Sequence, residues 1–307
     1  ANNQTNQIFR MNSFNSPTQP VEGNVWGGRY GTGTFQSIWD MVVKGVEWAN
    51  APTERHIEDG ETEETKPFIQ PVGENAEVNI QDVQKMDYDS EFDAVLTDPP
   101  YYDNIIYSEI SDYFYVWQKI LLSDEYDGFD APHTPRSESI VVNPSEDQDD
   151  EVFESELREA FSNIYDALKE DGVLAFTYHH KGVESWGELL GALCDVGFEV
   201  TATYPVSADI RKFTKDEAVA FDIIIVARPA HEREPISWNS LRRRIYRTAQ
   251  KTRKQLEENR EISPGDIGVI EMGECFHEYS KHHGKVMRAG DEMTSKEVVN
   301  EIYGVIQ

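Results

Sequence analysis

Cysteine is nearly absent. Cys194 and Cys275 are the only two in 307 residues, which excludes a disulfide scaffold and a four-cysteine zinc ribbon and fits a reducing, cytoplasmic setting. No stretch approaches the ~18 consecutive apolar residues of a membrane span and none reads as a signal peptide, so no membrane partner is expected. Basic charge is scarce too: 28 Lys+Arg face 57 Asp+Glu, a formal net charge of −29, and only 13 residues are lysine. Such a balance fits either a protein that repels nucleic acid or a halophilic one, in a cytoplasm where salt screens repulsion to ~3 Å at 1 M. The acids are dispersed through segments that read as ordered instead of forming a tail, which favours the halophilic reading.

What is present falls into three regions. Residues 1–75 read as an N-terminal connector: 1–34 are rich in Asn, Gln, Pro and Gly, "FQSIWDMVVKGVEWAN" (35–50) has the apolar spacing of an amphipathic helix, and 51–75 is an acidic linker or exposed loop. Over 76–230 strands and helices alternate. "AEVNIQD", "FDAVLTD", "VLAFTYHH", "EVTATYPV" and "AVAFDIIIVARP" read as strands. "YSEISDYFYVWQKILL", "EVFESELREAFSNIYDALKEDG", closed by Gly172, and "SWGELLGALCDVGF" read as helices. Apolar runs such as "VLAF" and "DIIIV" suit strands covered on both faces. The pattern predicts an α/β sheet, largely parallel, with an antiparallel pair at one edge because the last two strands follow each other without a helix. Residues 231–307 read as a helical C-terminal extension.

The chemistry-bearing stretch is "VLTDPPYYDN" (95–104). Proline cannot continue a ladder, so the strand ends at Asp98 and a stiff corner follows, at the carboxyl end of a strand where open α/β sheets bind ligands. A carboxylate beside carbonyls held in place by Pro99 and Pro100 is an acceptor-only fork, and its natural partner is a planar –NH₂ group. Tyr101 supplies a flat ring for stacking. Gripping both hydrogens of a nucleobase amine localises its lone pair and readies the nitrogen to attack an electrophilic methyl.

"DPPY" at a strand end matches the motif of amino-methyltransferases. The longer "VLTDPPYYDNIIYSEISDYFYVW", with "TYHHKGVESWGELLGALCDVGFEVTATYPV" and "SPGDIGVIEMGECFHEYSKHHGKVM", resembles the adenine-specific DNA methylases that carry a zinc ribbon, over most of residues 20–300. The resemblance implies a Rossmann-like, S-adenosylmethionine-dependent fold that methylates adenine N6 in DNA, on a base flipped out of the stack. By position it gives Asp98 and the Pro99 carbonyl the target amine and Tyr101 the base, and it gives Asp82, ending "VNIQD", the adenine of the cofactor.

The chain departs from that family in two respects. It lacks the glycine-rich "DPFAGGG"-like cofactor turn with its preceding strand, and it lacks the zinc-ribbon cysteines. "RYGTGTF" (29–35) follows no apolar strand and reads as a flexible turn. The chain therefore resembles the C-terminal half of a family member, its sheet lacking the first cofactor-binding strand and loop, and an upstream polypeptide carrying that loop is an expected partner beside DNA. A non-catalytic nucleic-acid-binding remnant, or an enzyme acting on RNA, cytosine N4 or a glutamine amide, stays open.

Other residues admit two readings. Tyr102, Asp103 and Asn104 fit a base pocket or a solvated loop. Tyr107 is the candidate of its helix for facing the crevice, the other aromatics of "DYFYVWQ" reading as helix core. His179 and His180 follow a strand end without an evident third ligand, which favours pocket lining over metal, and no metal is expected. Arg242, Arg243, Arg244, Arg247, Lys251, Arg253 and Lys254 hold a quarter of all basic residues in thirteen positions without one acid. They fit a solvated helix face or contacts to DNA phosphates.

Overall fold

The computed structural model describes residues 35–58, 61–66, 71–103, 106–126, 128–180, 182–207, 221–258, 262 and 264–306. They fall into two units, 1–80 and 81–307. In the first, α1 (Phe35–Asn50) forms where the apolar spacing predicts it, with Trp39, Val42 and Val46 along one exposed stripe. The stretch read as a linker instead contains an antiparallel hairpin, β1 (Arg55–Glu58) with β2 (Glu61–Glu64). Its strands hold one apolar residue between them, Ile57, so no apolar alternation announces them.

The second unit is an α/β fold around four strands: β3 (Phe92–Thr97), β4 (Leu168–Tyr178), β5 (Phe198–Ser207) and β6 (Phe221–Pro229), in the order β3-β4-β6-β5. β3 and β4 are parallel, with Val95 opposite Leu174 and Thr97 opposite Phe176. β6 is antiparallel to β4 and to β5. The expected antiparallel pair is therefore present at the edge, but the sheet is mixed, not largely parallel. The β5–β6 connection folds β6 back into the interior position beside β4, so only one of the three pairings is parallel.

Helices α3 (Asp150–Ala167) and α4 (Val183–Val196) cross over between β3 and β4 and between β4 and β5. These three strands advance across the sheet in one direction, and right-handed crossovers taken in one direction lay their helices on one face. Phe176 meets Phe161 of α3, and Tyr178 meets Trp186 of α4, which in turn meets Phe276 of α6 (Pro264–Ser280). Gly273 lets α6 approach closely: a Cβ there would lie 2.1 Å from the Ile223 side chain on β6. α5 (Trp238–Glu257) packs outside α6, and α7 (Ser295–Ile306) packs on α4 and α6. The C-terminal helices thus complete the layers on the sheet. A three-stranded sheet, β7 (Ile236–Ser237), β8 (Val286–Arg288) and β9 (Asp291–Glu292), ties their ends together, and its strands are too short for a sequence pattern.

By alternation along each strand, Leu96, Ala175, Thr177, Ile224, Val226 and Tyr204 point to the opposite face. None of the described helices forms a layer there. The expectation that "VLAF" and "DIIIV" are covered on both faces therefore fails among the described residues: Leu96 is 78% exposed, and Ala175, Ile224 and Val226 are half-buried.

Two further corrections concern local signals. The helix expected to run to Gly172 ends at Ala167, because Leu168 turns extended at φ −82°, ψ 142° and starts β4. Gly172 lies inside β4, where the register against β3 shifts, and a Cβ there would sit 2.8 Å from the Lys169 carbonyl. Its role is close approach in a bulge, not a helix stop. "AEVNIQD" forms no strand: Val78 and Ile80 lie fully exposed, with no pairing partner among the described residues.

Candidate active site

β3 ends at Thr97, and the chain leaves the sheet through Asp98, Pro99 and Pro100. Asp98 is exposed at the carboxyl end of the strand, on the face that lacks a helical layer, level with Thr177 of the parallel neighbour. Two hydroxyls converge on one of its oxygens. Tyr101 Oη donates to Asp98 Oδ1 at 2.7 Å, and Thr177 Oγ1 donates to the same oxygen. The two hydroxyls lie 3.0 Å apart, which closes a triangle. Burial, reinforced by the Asp98 carboxylate, holds the Tyr101 phenol well above its usual range, so it stays a donor. Neither Asp98 Oδ2 nor the Pro99 carbonyl accepts a hydrogen bond from a described residue, which leaves both as acceptors at the corner.

Thr177 was not among the residues singled out from the sequence. The signal for it exists only after pairing: parallel register sets it beside Asp98, and the alternation that buries Phe176 and Tyr178 aims it at the other face. Tyr101 is half-buried, its ring edge-on to Tyr178 at 5.6 Å.

The next residues split between core and crevice. Tyr102, a candidate for the base pocket, is buried: its hydroxyl donates to Asp150 at the start of α3, its ring meets Phe153, and its carbonyl accepts from Val142 N–H. It is also in the left-handed region at φ 58°, a conformation tolerated because these contacts fix it. This corrects its assignment: Tyr102 anchors the corner to the core. Asp103 is exposed and accepts from His180 Nε2 at 3.0 Å. His180 Nδ1 accepts from Gly182 N–H at 2.9 Å, which places the imidazole proton on Nε2. His179 Nδ1 lies 3.2 Å from Asp222 at the start of β6. Two imidazole–carboxylate pairs thus stand at the same end of the sheet as Asp98. Tyr107, the first residue of α2 (Tyr107–Leu122), is exposed as expected, and Asn104 lies outside the described residues.

Of the other aromatics of α2, Tyr115 is buried as expected, stacked on Phe129 at 5.7 Å with its hydroxyl on the Ala131 carbonyl, whereas the rest depart from their expectation as helix core. Asp112 and Glu109 hold the helix to the following loop through Arg136, Thr134 and Asn143, while Tyr113, Phe114, Val116, Trp117, Ile120 and Leu121 are all exposed.

Asp82 is a second correction. It does not end a strand; it caps a short 3₁₀ turn at Val83–Lys85, accepting from Gln84 N–H at 3.0 Å and pairing with Lys85 at 2.9 Å. The Lys85 ammonium holds its carboxyl below the usual range. Both oxygens are engaged locally, so Asp82 does not fit the role of gripping a cofactor. His56, Glu58 and Glu63 on the β1–β2 hairpin are the one trio of described residues within joint reach of a metal ion, and all three are exposed.

The basic run forms α5. Arg242, Arg243, Arg244, Arg247, Lys251, Arg253 and Lys254 are all exposed. α5 runs antiparallel to α6, with Thr252 Oγ1 on Glu274 at 2.6 Å and Arg244 Nη1 on His282 Nε2 at 3.4 Å. No described helix is long and apolar enough to cross a membrane. No family model and no curated protein matches this chain.

Proposed function

We propose that this chain is the amine-holding, catalytic portion of a DNA adenine-N6 methyltransferase. One observation carries the reading: at a proline-stiffened strand end, two hydroxyls pin one oxygen of Asp98 and leave its other oxygen and the Pro99 carbonyl free to accept. Such a fork suits the two hydrogens of an exocyclic amine. Withdrawing both hydrogens into hydrogen bonds sharpens the nitrogen lone pair, and the fixed triangle supplies that geometry without reorganisation. Tyr101, kept protonated by burial, holds Asp98 in place; its ring offers a surface to the base.

The residues present do not fit S-adenosylmethionine. Asp82 is engaged by Gln84 and Lys85, and no glycine-rich turn follows an apolar strand. No transfer step is therefore assigned to this chain alone; it holds and activates the acceptor. Two observations support completion by another polypeptide: among the described residues β3 pairs with β4 only, which leaves its other edge open there, and most apolar residues of α2 are exposed. In a doubly wound sheet the ligand crevice lies where strand order reverses, and the open edge of β3, next to Asp98, is where that reversal would fall.

The test combines the chain with its upstream polypeptide, labelled S-adenosylmethionine and unmethylated duplex DNA, followed by digestion to nucleosides. The expected product is N6-methyladenine, abolished by Asp98→Ala with an unchanged circular dichroism spectrum. Methylation that survives Asp98→Ala removes the role of that carboxylate. A label on cytosine, RNA or protein moves the activity to another acceptor, and no label in any arm favours a non-catalytic subunit.

A further inference from the structure

We propose that the outer face of α5 is a duplex-DNA backbone surface, separate from the Asp98 corner and independent of whether that corner is catalytic. At about 100° per residue, Ser240, Arg243, Arg247, Lys251 and Lys254 fall within an arc of about 80°. The buried residues Trp238, Leu241, Ile245 and Ala249 lie opposite. The four cations climb the helix in steps of about 6, 6 and 4.5 Å, a ladder about 16 Å long.

Composition weighs against a merely solvated face. The chain carries 57 acids to 28 bases, yet no acid occurs between Arg242 and Lys254. Like charges one turn apart destabilise a helix, and Arg242, Arg247, Lys251 and Lys254 have no acidic partner among the described residues; only Arg253 pairs, with Glu257 at 2.6 Å. At the N-terminal half the face widens into a groove of about 800 Å³ lined by Ser240, Arg243, Arg244, Arg247, Lys281 and a single acid, Glu278. Glu278 lies 3.5 Å from Lys281. Arg244 is steadied by His282, whose Nδ1 donates to the Glu234 carbonyl at 2.6 Å and whose Nε2 is thereby left as acceptor. A small anion needs one such cluster; a ladder of this length matches a polyanion, whose strand carries a phosphate every ~3.4 Å of duplex axis.

The position of the ladder sets it apart from the corner. Gly273 of α6 packs on Ile223, which is level with Tyr178, and Ser280 Oγ accepts from Val200 N–H near the start of β5. α6 therefore runs from the crevice end of the sheet to the far end, and α5, antiparallel outside it, carries Lys251 and Lys254 at crevice level and the Arg243–Arg247 groove at the far end. Asp98 and Thr177 lie on the other face of the sheet. A duplex on the ladder is thus held behind the sheet, not at the corner.

Fluorescence anisotropy of a labelled duplex of about 25 base pairs, titrated with the full chain across a salt series, tests this. Each phosphate contact contributes about 0.9 to the slope of log K against log salt, so R243Q/R247Q/K251Q/K254Q should reduce the slope by about 3–4 and weaken binding at least tenfold at low salt. K44Q/K66Q/K119Q/K169Q, which changes net charge equally, should leave the slope unchanged. An unaltered slope in the ladder variant overturns the proposal. So does equal loss in the charge-matched control, absence of duplex binding by the parent chain, binding to RNA alone, or displacement of the duplex by equimolar inorganic pyrophosphate at matched ionic strength.

Discussion

The two faces of the four-stranded sheet are built from the same strands and the same residue types, yet they have different fates. On one face Leu174, Phe176, Tyr178, Ile223 and Ile225 are buried under α3, α4 and α6. On the other, Leu96, Ala175, Ile224 and Val226 come from the same apolar runs, alternate with the first set, and have no described helical layer over them. The difference teaches where stability and function separate. The covered face holds the unit together, and the other face presents Asp98 and Thr177 at its upper margin, beside a strand edge that is open among the described residues.

The largest effect should come from the covered face. Phe176→Ala removes a fully buried ring packed on Phe161 and is expected to cost ~3–5 kcal/mol in urea unfolding. Val226→Ala, half-buried on the other face, should cost about 1 kcal/mol or less. Equal costs would mean that a layer covers both faces.

Function should show the reverse asymmetry. Thr177→Val removes one of the two donors that orient Asp98 and should lower kcat about 10–100-fold in the reconstituted methylation assay, with KM for DNA unchanged and stability nearly so. Thr177→Ser restores the hydroxyl and should recover most of the rate. A Ser variant as slow as the Val variant would make Thr177 a packing residue only.

The smallest effect concerns a titratable seam in the helical layers. Lys296 of α7 lies 2.9 Å from Glu188 of α4 and 2.8 Å from Glu154 of α3. Burial, with Glu154 alongside, pushes the Glu188 carboxyl up to about 7. The folded state then holds a proton that the unfolded chain releases near 4.5, so stability falls as pH rises from about 4.5 to 7. Glu188→Gln should flatten that fall and stabilise the protein by ~1 kcal/mol above pH 7, read from thermal midpoints across a pH series. A parent chain whose midpoint rises over the same window would contradict the assignment.

What a sequence can reveal here tracks the range of the interactions. α1, α2 and α7 occupy the stretches expected, because helical periodicity is local and strong. The strand-terminal corner at Asp98 was legible because proline acts within its own residue. The hairpin at Arg55–Glu64, the bulge at Gly172 and the capping role of Asp82 were not, since each depends on a neighbouring segment that supplies or withholds a partner. Tyr102 misled for a related reason: its proximity in sequence to Asp98 said nothing about a left-handed backbone that turns it into the core.

By itself, then, the sequence determined the helices, the apolar runs that had to become strands, the stiff acceptor corner and the basic ladder of α5, all properties written in residue type and spacing. Tertiary structure alone decided that β6 inserts beside β4, that the described helices packed on the sheet lie on one of its faces, and that Thr177 meets Asp98 across 79 positions of chain. Those outcomes depend on pairing register and crossover direction, which arise only when distant segments compete for the same hydrogen bonds and the same apolar surface.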